Sequence, residues 1–240
     1  MEADSDARQE SPIRPLLWTA VWLVAAVLGQ ILAVAAVLLA SPPSRHGQVS
    51  LWLSTTAGAL AFQLILLTGA WRRGRAVGGG SVRAGLGWGP IASWRPLVRL
   101  TCFLVLWILV AIAVVIPTVI RIIGIDPREI ARLALPAAPG ARVVHVLFLV
   151  GLAPLAEELF FRGWLWTALR RHWSPRGVVW ATALLWAGVH ALSGVLRPFI
   201  LLPTGLILGW ARQRTGGTRA CIGLHALNNA IAVGLQFLLT

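Results

Sequence analysis

Lysine and tyrosine are absent from this chain, methionine occurs once and cysteine twice. Acid is scarce as well: four of the eight Asp and Glu precede Ser11, and only Asp126, Glu129, Glu157 and Glu158 follow it in the 240-residue sequence. Cys102 and Cys221 lie far apart in apolar segments with no CxxC spacing. That pattern gives no sign of a disulfide framework or a zinc site, and both are expected as small core residues. The Gly-rich stretch 78–89 has no GK[ST] and no strand before it, so it is neither a phosphate-binding loop nor a dinucleotide fingerprint. It reads as a cytoplasmic linker. No internal repeat is visible.

What is present is hydrocarbon. The chain is 58% hydrophobic with mean hydropathy +0.78 and 13 Trp. Its apolar residues come in runs near the length of about 20 residues that a bilayer core of about 30 Å requires. Seven runs can be marked, roughly 15–40, 50–71, 99–120, 142–164, 177–195, 198–211 and 219–239, separated by turn and charge signals such as "SPPSRHG", "GIDPRE" and "RQRTGG". The expected fold is all-α: a polytopic transmembrane helix bundle of about seven spans with the N-terminus inside. The run 198–211 is short and carries Pro203 and Gly205, so it is expected to be tilted, kinked or re-entrant. "GIDPREIARLAL" is expected as a short interfacial helix on the outer side. The first run follows a tail of mixed charge and exceeds a typical signal-peptide core, so it is read as a retained span. The division expected is 1–14 tail, 15–120 N-terminal spans, 121–141 outer loop and 142–240 core.

All 21 basic residues are Arg, and the formal net charge is +13. In a soluble protein that charge would point to nucleic acid, but these arginines cluster at the ends of apolar runs, where they orient a membrane chain. With the N-terminus inside, 14 arginines fall on cytoplasmic pieces and six on outer ones, leaving Arg162 alone within a span. Arg170 and Arg171 belong to this topology signal. Trp71, Trp88, Trp94 and Trp173 are expected as interfacial anchors. No nucleic-acid partner is expected; the partners are the lipid bilayer and a membrane-anchored or hydrophobic peptide, in the cell membrane.

Ionisable groups inside spans are costly and mark function by default. The candidates are Glu157, Glu158, Arg162, His190, His225, Asn228 and Asn229, with His145 near an outer helix end. Glu158 and Arg162 stand at i and i+4 and can pair on one helix face. Glu157 points about 100° away from its neighbour and has no local cation. A buried carboxylate of that kind suits a general base, or holds water or a metal. One Glu is therefore expected to serve structure and the other chemistry. Counted at about 1.5 Å per residue, Glu157, His190 and Asn229 fall at similar depths, which permits one shared cavity. Singly, each has a plainer reading: an intramembrane His or Asn is often an interhelical hydrogen-bond partner.

"EELFFR" matches an EExxxR motif, "WAGVH" stands where an FxxxH motif would, and "HALNN" matches HxxxN. In this order on successive spans they resemble the CPBP intramembrane proteases, the type II CAAX prenyl endopeptidases and their bacterial, Abi-like and bacteriocin-processing relatives, over roughly residues 142–240. The resemblance implies an endopeptidase that cleaves a membrane-associated protein or peptide. Glu157, aided by His190, would activate water; His225 and Asn229 would hold the oxyanion; Glu158 and Arg162 would orient the site. Trp186 replaces the Phe of the motif. Two His and a Glu (Glu157, His190, His225) have the composition of a three-ligand Zn2+ site, and the family has been called metalloprotease; with no HExxH present, no obligatory metal is expected. Two other readings remain: a non-catalytic binding or immunity protein on the same fold, and a small transporter with a Glu/His relay, which lacks the repeats such folds show. Substrate identity, its prenylation and oligomeric state stay open.

Overall fold

The computed structural model describes residues 11–40, 48–124, 136 and 138–239, which contain helices and no strand. Eight helices follow one another among them. They are α1 (Arg14–Ala40), α2 (Gln48–Val77), the short α3 (Val82–Gly85), α4 (Trp94–Val110, continued through a π turn at Ala111–Val115 into Ile116–Ile123), α5 (Pro139–Leu169), α6 (Pro175–Val189, continued as a 3-10 turn His190–Ser193), α7 (Arg197–Thr215) and α8 (Thr218–Leu239). Five helices, α1, α2, α4, α5 and α8, are long and apolar enough to cross a membrane. The other two expected runs are also helical. With 15 residues α6 is shorter than a full span, whereas α7 is 19 residues long, holds Pro203 in its interior and takes in Arg212 and Arg214. The protein is an all-α polytopic bundle. The proposed outer-side helix, together with Arg8, Arg45, Arg128 and Arg132, lies outside the described residues.

Local sequence sets the helix ends. Ser174 caps α6 by accepting a hydrogen bond from the Gly177 N–H at 3.2 Å, with Pro175 at the first helical position, where the missing N–H costs nothing. Gly216 ends α7 with φ +74°, a left-handed conformation that glycine adopts without strain.

The core has two parts. One gathers α1, α2, α5 and α6 around Leu66, Phe160, Phe161, Trp164 and Trp186; the other joins α4, α7 and α8 around Leu104, Leu208 and Leu224. From Ala156 to Leu169 nearly every side chain of α5 is buried, as expected of a helix that is apolar all round and central to a bundle. Leu17, Val24 and Ile31 on α1 and Phe103, Leu106 and Leu109 on α4 are exposed, consistent with a face toward acyl chains. Small residues bring α7 close to α6: a Cβ on Gly205 or Gly209 would meet Ala183 or Val179 at 3.3 and 3.0 Å.

Two expectations change. The 78–89 stretch is a packed strap rather than a linker. Leu86 is buried, its carbonyl accepts the Thr218 hydroxyl at 2.5 Å, the Gly87 carbonyl accepts the Thr218 N–H at 3.1 Å, and Arg219 lies 5.0 Å over the Trp88 ring. Its glycines permit this, since a Cβ on Gly85 would stand 1.7 Å from the Gly74 carbonyl oxygen. Of the cysteines only Cys221 is a core residue; Cys102 is exposed on the apolar face of α4.

Candidate active site

The carboxylates sit on a short α-helical piece, Ala153–Glu158, between two π turns of α5, Leu147–Leu152 and Leu159–Leu165. Pro154 has no N–H and disturbs the regular ladder of a helix interior, and a widened turn accommodates the break. The Ala153 N–H reaches back five residues to Phe148, so the Leu149 carbonyl loses its usual donor, and its five-residue partner would be the proline. Asn229 supplies the missing bond, its Nδ2 donating to the Leu149 oxygen at 2.8 Å. The second π turn repeats the pattern. The Trp166 N–H reaches Phe161, and the Arg162 carbonyl accepts from Nε of Arg212 at 2.8 Å.

Glu157 and Glu158 face different surroundings, as their spacing requires. Glu158 is fully buried, and its Oε1 accepts from Arg162 Nη1 at 2.9 Å and contacts His225 Nδ1 at 3.0 Å. Arg162, also fully buried, donates through Nη2 to the Gly205 carbonyl at 3.0 Å, fastening α5 to α7. Glu157 does not stand unpaired as expected. Its Oε1 accepts from Gln63 Nε2 at 2.9 Å and its Oε2 from Trp186 Nε1 at 2.7 Å, while His225 Nε2 lies 4.0 Å from Oε2. His225 thus stands between the two carboxylates.

His190 occupies the 3-10 turn that ends α6. Its Nδ1 lies 2.9 Å from the Trp186 carbonyl oxygen, which can only accept, so Nδ1 carries the proton and Nε2 is the acceptor in the neutral ring. Glu157 and His190 line one cavity of about 190 Å3, walled by Phe62, Leu66, Phe148 and Phe161 and edged by Gln30 and Ser193. His225 and Asn229 are not among its lining residues; Asn229 binds Leu149 and accepts from Asn228 at 3.1 Å. Among the described residues no three His, Cys, Asp or Glu side chains come together as ligands for one metal ion. Glu157, His190 and His225 are therefore not assembled as a three-ligand site.

Three side chains of the site and its support are not apparent from the sequence: Gln63, Trp186 as a donor, and the buried Arg212, which stands at the end of an apolar run like the arginines that orient the chain. Gln63 carried one cue, a polar amide within an apolar run. Arg212 carried none.

Paired carboxylates and imidazoles inside a helical membrane bundle define a class of protein, the polytopic membrane proteins built around ionisable groups. Residues 139–231, from the start of α5 into α8, match the family described as Type II CAAX prenyl endopeptidase Rce1-like. That match supports the resemblance of this part of the chain to the CPBP intramembrane proteases. No curated protein and no solved structure matches the chain.

Proposed function

We propose that the protein is an intramembrane endopeptidase in which Glu157 and His190 activate a water held in their shared cavity. The observation that carries this reading is the pairing, on one cavity, of a carboxylate with an imidazole whose Nε2 is left free to accept. A water between them gives its proton to Glu157 as its oxygen attacks the scissile carbonyl carbon. The tetrahedral intermediate collapses with cleavage of the C–N bond, and the proton passes to the leaving nitrogen, giving a carboxylic acid and an amine. Glu158, Arg162 and His225 act behind the site, holding α5, α7 and α8 in register; Asn229 does so through Leu149. His225 holds its Nδ1 on Glu158, so its Nε2 beside Glu157 can donate to an oxyanion only in the doubly protonated ring. No metal enters this scheme.

The phenylalanine-rich wall suits a membrane-associated protein or peptide with apolar side chains at the bond to be cut. Comparative membrane proteomics of cells carrying wild type or Glu157→Gln tests the reading. A membrane protein with a new C-terminus is expected in wild type alone; identical termini in both strains refute it and favour a binding protein on the same fold.

A further inference from the structure

The carboxylate assigned above as the base has one neutral donor on each oxygen, and the two donors come from different helices. Gln63 on α2 holds Oε1 and Trp186 on α6 holds Oε2, at 2.9 and 2.7 Å. A glutamate side chain turns about three torsions, and one hydrogen bond leaves the carboxylate plane free to swing. Two bonds from two different helices fix both its position and its plane. Neutral donors do this without placing a full positive charge on the base, unlike the guanidinium that neighbouring Glu158 receives.

Trp186 is itself immobilised. It is 1% exposed, its ring meets those of His190 and His225 edge-on at 4.8 and 5.2 Å, and the Arg162 guanidinium lies 5.1 Å from its centre. Its main-chain carbonyl also holds Nδ1 of His190. One residue thereby orients the carboxylate through its indole N–H and the imidazole through its backbone. A phenylalanine here would keep the ring contacts and lose the bond to Glu157. Gln63 lies outside residues 139–231, so the N-terminal helices complete the site as well as enclose it.

We infer that Gln63 and Trp186 are positioning residues, a two-sided clamp that aims Glu157 at the water it deprotonates. The inference rests on the endopeptidase reading. Its test uses full-length protein in lipid nanodiscs, with the protein found shortened in wild-type membranes as substrate. Trp186→Phe and Gln63→Leu are each expected to lower kcat about ten- to a hundredfold, the loss of one hydrogen bond to a charged group, with KM little changed. A merely structural role would instead lower the folded fraction and leave kcat per folded molecule intact.

An activity-independent measurement accompanies the kinetics. The indole N–H resonance that disappears in Trp186→Phe is expected to move upfield in Glu157→Leu. A resonance indifferent to Glu157→Leu overturns the clamp whatever the activity. Clamp variants at wild-type kcat, beside an inactive Glu157→Gln, overturn the clamp and leave the endopeptidase reading standing. Equal cleavage by wild type and Glu157→Gln overturns both.

Discussion

Replacing Arg162 by Leu removes the guanidinium that pairs with Glu158 within the bundle. Both side chains are fully buried, and the substitution breaks the 2.9 Å ion pair, the 3.0 Å bond to the Gly205 carbonyl and the contact over Trp186. Removing one partner of a buried pair strands the other charge and costs about 3–5 kcal/mol. For a chain of this size each kcal/mol moves the midpoint about 2–4 °C, so a fall of about 6–20 °C is expected. The assay is the thermal midpoint of detergent-purified protein at one fixed scan rate. Glu158→Leu combined with Arg162→Met removes both charges; beyond the Gly205 bond that either variant loses, it strands His225 Nδ1, a loss of about 1–3 kcal/mol. The double variant is therefore expected to be more stable than Arg162→Leu alone. A single variant within a degree of wild type, or a double variant below it, would show that the pair does not hold the helices as argued.

Three further outcomes follow from the same geometry. Glu157→Gln keeps the size and one acceptor of the side chain but cannot take a proton, so activity per folded molecule should drop about a hundred- to ten-thousandfold; activity retained to within a few fold contradicts the role of Glu157. Cleavage should persist after dialysis against a strong zinc chelator; loss restored by added Zn2+ would place a metal at Glu157, His190 and His225 after all. Gly85→Ala puts a Cβ 1.7 Å from the Gly74 carbonyl oxygen, a backbone atom that cannot swing aside. The strap should be displaced at a cost of about 1–3 kcal/mol, read as faster proteolytic nicking within residues 78–89.

The seven helical runs were legible because hydropathy and turn residues are local sums along the chain. Glu158 with Arg162 was legible for a related reason, since a four-residue spacing places two side chains on one helix face wherever the helix goes. The "EELFFR", "WAGVH" and "HALNN" motifs pointed to the family that residues 139–231 match. Other features resisted the same treatment. A Gly-rich stretch reads as a linker unless its partners are known, and the partners of 78–89 are Gly74, Arg212 and Thr218, on α2, α7 and α8. Arg212 looked like its exposed neighbours Arg214 and Arg219, yet it is buried against the carbonyls of Arg162 and Gly216.

The sequence alone determined that this chain forms a helical membrane bundle with two carboxylates and two imidazoles in its core, because the free energies that place segments in lipid depend on composition and length. Tertiary structure decided which way those groups face. Gln63 stands 94 positions before Glu157, and Trp186 stands 29 after it. Whether their N–H groups reach the carboxylate depends on the rotation of three helices about their axes. The π turns on either side of Ala153–Glu158 reset that rotation for α5. Pro154 hints at the first of them, and nothing in the letters marks the second.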